Sequence, residues 1–423
     1  MLLLSFKPDQ AKQPVVRHLF SAKSMMPTES LFDLRGTPRQ TFERFSTGLQ
    51  PLITLISGIP GRGETPVLEI KPWMAIAIDL VKLAVGVLGG GWAFRHGGAS
   101  LLLLPFCWIL VVNAARSLTS DAHYAGHNCV TRRPNVDWWI GELLSTLVLS
   151  PAMKDYAPGH NQRHHGRDGI VTLSDPDLQL MFSIGFETGR STRWYVWRLY
   201  LALVSPRYHV LYLRARLASN FITADFGRLV LAWAFHGAIA TLVWRYGLLT
   251  DYAVAWLVPI FPLYAISAAL QFPSEHLWLF PDRSSEHRGS FLRRLSHGRF
   301  FLVPAPRAEL QAWQSVLAWG LWLVRMLPLM FERFFVCVSI LPAHDYHHRH
   351  ALTKRWPMEP YLRARAIEEG AKEFRDYYGL RAVYVDQFQI WSSLPREAAR
   401  KNWTTLRWVE RMALTWFPGL RCK

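Results

Sequence analysis

Eight of the 16 histidines fall in three short clusters that have the spacing of metal ligands on a helix. In the first cluster, His123 and His127 stand four residues apart, so both rings lie on one helix face and can reach one ion. The other two clusters add a histidine directly beside such a pair. Their members are His160, His164 and His165 in the second cluster, and His344, His347 and His348 in the third. The adjacent ring can turn toward a second ion.

A ninth histidine, His276, follows Glu275 just past the end of an apolar run. Nine imidazoles exceed the four ligands that a tetrahedral zinc takes. Two ions with four or five nitrogen ligands each would use all nine. Imidazole suits iron, copper, nickel and zinc, so ligand type alone does not choose the metal. An isolated pair of histidines four apart is often a coincidence, but three clusters together favour a single site.

Composition narrows the setting of this site. Half of the residues are hydrophobic, 19 are Trp, and the net charge is +17. Such a charge suits either nucleic acid or an anionic membrane surface, and the long apolar runs favour the membrane over nucleic acid. The four cysteines lack the close spacing of zinc-knuckle, rubredoxin or ferredoxin sites, so neither a disulfide scaffold nor a fused iron–sulfur domain is indicated.

Four apolar runs are long enough to form two transmembrane helical hairpins. The runs are 73–94, 100–115, 229–249 and 252–272. The two short turns carry only Arg95 and Arg245, whereas the segment 117–224 is rich in Arg and Lys, which predicts that the long segments face the cytoplasm. The stretch 310–341 is apolar but interrupted by charge. It predicts an interfacial helix, with a fifth span as the alternative.

These observations predict an all-α polytopic membrane protein of about four spans, with a cytoplasmic helical cap that holds a two-metal site. The predicted regions are a loosely ordered arm and interfacial segment at 1–70, a catalytic membrane domain at 71–350, and a cytoplasmic cap or tail at 351–423. The apolar start before Lys7 is too short for a secretory signal, so both termini and the histidines are expected in the cytoplasm.

The order HxxxH, HxxxHH, HxxHH between two hairpins resembles the membrane fatty acid desaturase and hydroxylase superfamily, over roughly residues 70–350. The run from Gly159 to His165, followed by Ser-Asp-Pro-Asp ending at Asp177, is similar to the second box of bacterial acyl-lipid desaturases. Ser274-Glu275-His276-Leu277 is similar to a Glu-His motif of alkane hydroxylases. Phe272 departs from the Asn that both patterns carry before this histidine.

The resemblance implies two iron ions cycling between Fe2+ and Fe3+, O2 as co-substrate, and electrons from a separate ferredoxin, rubredoxin or cytochrome. The substrate would be a fatty-acyl or other long-chain lipid, whether lipid-linked, a thioester or a free acid, and the setting a bacterial inner membrane. Desaturation is the expected reaction. The alternatives are hydroxylation of a fatty acid or alkane, alkene-forming decarboxylation, and a membrane protein that only binds or transports metal. Transporters place such ligands within their spans, whereas these clusters lie outside them.

Several residues near the clusters are candidates for supporting roles. Asp175 and Asp177 either cap a following helix or accept a hydrogen bond from a ligand histidine, and Glu275 is a third such carboxylate. Trp138 and Trp139 have the helical spacing to line a substrate tunnel, or alternatively to anchor a helix at the membrane interface.

Overall fold

The computed structural model describes residues 29–165, 171–172, 175–183, 185–279, 295–372 and 374–396. The first part of the expected arm (1–28), Ser174 of the expected turn and the end of the expected cap (397–423) lie outside the described residues. The described chain is mostly helical, with a single two-stranded sheet, which confirms the all-α prediction.

The α-helices occur in two sets around the middle of the chain. The first set is α1 (Gln50–Ser57), α2 (Pro72–His96), α3 (Leu104–Gly126), α4 (Pro134–Leu147), α5 (Met153–Pro158), α6 (Pro176–Ser183), α7 (Thr192–Val204) and α8 (Pro206–Phe221). The second set is α9 (Phe226–Arg245), α10 (Leu249–Tyr252), α11 (Tyr264–Gln271), α12 (Ala312–Phe331), α13 (His344–Arg349), α14 (Glu359–Glu368) and α15 (Leu380–Ser393).

Shorter elements complete the described chain. The π-helical segments are Gly159–His164, Ala253–Leu257, Pro259–Leu263 and Glu332–Val336. The 3-10 turns are Glu29–Leu31, Gln40–Phe42, Thr47–Leu49, Gly98–Leu103, Phe272–Ser274, Leu341–Ala343 and Trp356–Met358. Strands β1 (Gly298–Phe300) and β2 (Asp376–Tyr378) pair in parallel.

Five described helical stretches are long and apolar enough to cross a membrane. They are Pro72–His96, Gly98–Gly126, Phe226–Arg245, Leu249–Ser274 and Ala312–Val336. The first four correspond to the two predicted hairpins. The fifth is the segment for which the sequence left a further span open, and its length and composition fit that alternative.

The first hairpin packs closely because one face of α2 lacks side chains. A Cβ atom at Gly86 would lie 2.8 Å from Cγ2 of Val111 on α3, and one at Gly90 would contact Cys107 and Ala255. Small residues at such positions let apolar helices approach where lipid offers no hydrophobic driving force. Gly97, with φ of 64°, then ends α2 and turns the chain into the second arm.

The fourth span is interrupted by two π-helical segments near Pro259 and Pro262. Proline removes a backbone donor and leaves carbonyls without their helical partners. Arg216 of α8 donates to the carbonyl of Ile260, and Tyr208 of the same helix donates to the carbonyl of Ala265 at 2.7 Å. These bonds fix α8 against the span that leads to His276.

Residues 29–70 are folded against the rest of the protein, in contrast to the loosely ordered arm that the sequence indicated. Phe42 is buried, and Arg39 forms a buried ion pair with Glu64 at 2.8 Å. The backbone N–H of Gly63 donates to Glu368 of α14, so this segment contacts the C-terminal part of the chain. Composition suggested disorder because Pro and Gly are frequent there, but buried aromatic and charged contacts hold the segment in place.

Candidate metal centre

Three different kinds of local structure carry the histidine clusters. His123 lies in the last turn of α3, and His127 follows directly after that helix. The second cluster occupies the π-helical segment Gly159–His164, a form often found at functional sites. The third cluster is α13 itself, and His276 lies in a bridge with Ser296 beyond the fourth span.

All nine histidines are buried and converge as two adjacent groups. Within each group the ligand nitrogens lie within 4.8 Å of one another. The five-histidine group contains His123, His127, His160, His165 and His347, and the four-histidine group contains His164, His276, His344 and His348.

The five-histidine group has the spacing of ligands on one ion. Nε2 of His347 lies 2.8 Å from Nε2 of His123 and 3.0 Å from Nε2 of His165. Two neighbouring ligands at ~2.1 Å from an octahedral first-row ion lie ~3 Å apart. The nitrogens are therefore placed as neighbouring ligands would be.

The four-histidine group has the same spacing. Nε2 of His348 lies 3.0 Å from Nε2 of His344, and Nε2 of His276 lies 3.3 Å from Nε2 of His164. The adjacent histidines divide between the groups, because successive side chains on a helix point in different directions. His165 joins the five-histidine group while His164 joins the other, and His347 and His348 divide in the same way.

Two nitrogens test whether this set fits a metal. Nε2 of His127 and Nε2 of His160 are buried and have no hydrogen-bond partner among the described residues. A buried polar atom without a partner is costly, whereas a lone pair directed at a cation is stabilised. The donor set, made of neutral imidazoles, and these unpartnered atoms fit ions such as iron.

The surroundings keep most of these rings neutral. Burial, together with the nearby charges of His164 and His344, lowers the pKa of His127 to about 4. Burial also lowers the pKa of His160, His347 and His348 well below the ordinary value. Their lone pairs are therefore available to a metal at neutral pH.

Asp175 contacts His164 from the side opposite to the group. Its Oδ2 lies 3.0 Å from Nδ1 of His164, and the carboxylate also accepts the backbone N–H groups of Val171 and Asp177, the latter in the first turn of α6. Burial by itself would lower the pKa of His164, but the charge of Asp175 and its hydrogen bond raise it to about 9. One carboxylate thus makes both contacts that the sequence posed as alternatives, the helix cap and the histidine contact.

Two further carboxylates lie beside the four-histidine group. Oδ2 of Asp177 is 3.7 Å from Nδ1 of His164, which is too long for a hydrogen bond. Oε1 of Glu275 is 3.1 Å from Nε2 of His344. Burial by itself would raise the pKa of Glu275, but the hydrogen bond with His344 and the positive charges nearby lower it to about 2.

The structure adds contacts that the spacing of the histidines did not reveal. The hydroxyl of Tyr156 lies 2.7 Å from Nδ1 of His123, and its ring stacks on His160. Glu359 lies 3.9 Å from Nδ1 of His347. Tyr156 stands four residues before His160, and this helical spacing could have indicated it, whereas no local pattern marks Glu359.

Trp138 and Trp139 lie on the outer side of α4. The side chain of Trp139 is 52% exposed and that of Trp138 is 36% exposed. Large exposed aromatic residues on a membrane protein suit an interfacial anchor. Their position favours the anchor over the tunnel among the two roles that the sequence indicated.

Comparison with known proteins agrees with this geometry. Residues 98–303 match the family model for fatty acid desaturases. The sn-1 oleoyl-lipid 12-desaturase of Arthrospira platensis is 30% identical over 94 residues, or 22% of this chain and 25% of that protein. The match therefore spans about a quarter of this relative's length. Together with the three histidine clusters and the spanning helices, these likenesses show that the chain belongs to the membrane fatty acid desaturase superfamily.

Proposed function

We propose that this protein is an oxidoreductase that desaturates a fatty-acyl chain, using O2 and two iron ions held by the two histidine groups. The observation that carries the proposal is the convergence of nine buried imidazoles as a group of five and a group of four, in a helical chain with apolar spans. The family model and the lipid desaturase relative support a lipid substrate.

The overall reaction would convert a –CH2–CH2– unit to –CH=CH– while O2, two electrons and two protons become two molecules of water. Iron bound in these groups would supply the O2-dependent removal of hydrogen from an unactivated C–H bond. The chain's own contribution is to orient its ligands. Asp175 and Tyr156 hold the Nδ1 atoms of His164 and His123, which leaves the Nε2 atoms free to face the ions.

The proposal includes a separate electron donor, because the four cysteines lack the spacing of an iron–sulfur site. A ferredoxin, rubredoxin or cytochrome would dock on the face that carries the histidine clusters. The excess of Arg and Lys in the segments joining the spans suits an acidic carrier, and by the positive-inside rule it places this face and both termini in the cytoplasm, as in a bacterial inner membrane.

The test is mass spectrometry of total lipids from cells that express the protein and from cells that do not, together with metal analysis of the purified protein. We expect fatty-acyl species that have lost two hydrogens, and two irons per chain. Unchanged lipids from a protein that carries its full iron would contradict the desaturase assignment. Absence of bound metal would contradict the metal centre itself.

Hydroxylation is the second candidate, and Glu275 favours it through its contact with His344. A Glu-His pair at this point of the sequence is similar to the motif of alkane hydroxylases. The same lipid analysis separates the two reactions, because a hydroxylated product has gained one oxygen atom and lost no hydrogen. How the substrate carbon is held relative to the iron decides between these outcomes.

A further inference from the structure

A buried carboxylate from the C-terminal part of the chain lies beside the five-histidine group. Glu359, the first residue of α14, has no exposed surface. Its Oε1 accepts the hydroxyl of Tyr124 at 2.8 Å, and its Oε2 has no hydrogen-bond partner within the described chain. Among the described residues, no Lys or Arg pairs with it. A carboxylate in this position needs another partner, since burying an incompletely bonded polar group is costly.

His347 offers the complementary atom. Its Nε2 faces the five-histidine group, 2.8 Å from Nε2 of His123. Its Nδ1 is also buried and without a hydrogen-bond partner in the part of the chain that is described, and it lies 3.9 Å from Oε1 of Glu359. A neutral imidazole that turns the Nε2 lone pair toward an ion carries its proton on Nδ1. That proton requires an acceptor.

We propose that Glu359 is a positioning residue for the metal centre, and that its carboxylate accepts the Nδ1–H of His347 when the five-histidine group holds an ion. This inference rests on the proposed metal centre. A small movement of either side chain closes the 3.9 Å gap, and one hydrogen bond then satisfies both unpartnered groups. Carboxylates behind ligand histidines fix the ring tautomer and raise the basicity of the metal-binding nitrogen.

The surrounding contacts hold Glu359 at this place. Arg363, one turn further along α14, donates to Asp345 of α13 at 2.8 and 3.0 Å and to Asp376 of β2 at 2.6 Å. This buried bridge joins α14 to the helix that carries His347. On the other side, the ring of Trp356 stacks on Tyr124 at 4.5 Å.

A contrast within the centre strengthens the assignment. Nδ1 of His348, the neighbour of His347, is also buried and unpartnered among the described residues, but no carboxylate is placed behind it. Glu359 and its clamp come from residues beyond 98–303, the range that matches the desaturase family model. The C-terminal part of this chain therefore has a role at the centre, in addition to covering it.

The experiment is a metal titration of the purified full-length protein after metal removal, with Fe2+ and with Co2+ as a spectroscopic probe. The variant Glu359→Gln keeps the shape and the acceptor for Tyr124 but lacks the charge. The matched control is Glu369→Gln, at the exposed end of the same helix, where Glu369 pairs only with Arg365 among the described residues. Thermal unfolding of the metal-free proteins reports any structural loss.

We expect Glu359→Gln to bind one of the two ions ~10 to 100-fold more weakly, as is typical of lost outer-shell partners, and to shift the Co2+ absorption bands. Its unfolding temperature without metal should equal that of the control. Unchanged affinity and spectrum would overturn the positioning role, and so would equal losses in Glu369→Gln. If the unaltered protein bound no metal, the proposed function itself would fail, and that result is distinct from a normal titration of the variant.

Discussion

The two histidine groups differ more in their surroundings than in their ligands. The four-histidine group has Asp175, Asp177 and Glu275 close to its rings. The five-histidine group instead has the phenol of Tyr156 and, at a longer distance, Glu359. Both groups present Nε2 atoms about as far apart as neighbouring ligands on one ion, so the contrast lies in charge and hydrogen bonding.

This contrast implies that two ions bound here would be inequivalent. Negative charge beside a cation stabilises it, and the effect is larger in a buried site where screening is weak. The four-histidine group has fewer nitrogens but more carboxylates. It therefore compensates with nearby charge for the ligand that it lacks, whereas the five-histidine group depends mainly on its imidazoles.

The largest expected effect comes from removing one histidine of a pair that divides between the groups. His347→Ala and His348→Ala should each abolish product, because the reaction requires both ions. Each should lower the metal content from two ions per chain to about one. Lipid analysis measures the first effect, and metal analysis of purified protein measures the second.

The control for this pair is His236→Asn, since His236 contacts the carbonyl of Thr146 and stands outside both groups. The control should keep product and metal. Loss of both ions in each alanine variant would mean that the two groups form one inseparable site, and the comparison between them would then break down.

The next effect concerns His276, which the sequence marked less firmly because it stands alone. Its Nε2 lies 3.3 Å from Nε2 of His164, and it belongs to the four-histidine group. Because three nitrogens would remain in that group, His276→Ala should lose one ion and nearly all product. Metal analysis and product assay give the result. An activity loss of only ~10 to 100-fold with full metal content would place His276 behind the ligands rather than among them.

Much of this arrangement could be predicted from the sequence because it depends on local spacing. Residues four apart share a helix face, which placed His123 and His127 in one group. Adjacent histidines point apart, which predicted a second ion. The apolar runs gave the helices of both hairpins because a helix must be about 20 residues long to cross a bilayer.

The remaining features depend on contacts between distant parts of the chain. Tyr124 and Glu359 are hydrogen bonded although they are 235 residues apart in sequence. No periodicity encodes such a pair, since it arises only when α14 packs beside α3. For the same reason, the order of residues 29–70 was missed, because Arg39 and Glu64 stabilise each other only once they are buried together.

A smaller effect should come from Asp175. Asp175→Asn keeps most of the helix cap, since Asn caps nearly as well as Asp, but it weakens the contact to Nδ1 of His164. We expect ~10 to 100-fold weaker binding of the ion in the four-histidine group, with a matching loss of turnover. Metal titration measures this. Full affinity in the variant would reduce Asp175 to a structural cap.

The smallest effect is expected at Asp177, which makes the matched comparison. Its Oδ2 lies 3.7 Å from the same nitrogen, its side chain is 32% exposed, and its backbone N–H already bonds to Asp175. Water can screen a partly exposed charge and replace its weaker contact, so Asp177→Asn should change ion affinity by less than ~10-fold. If Asp177→Asn weakened binding more than Asp175→Asn, the carboxylate that orients His164 would be Asp177. The short hydrogen bond of Asp175 would then serve the cap alone.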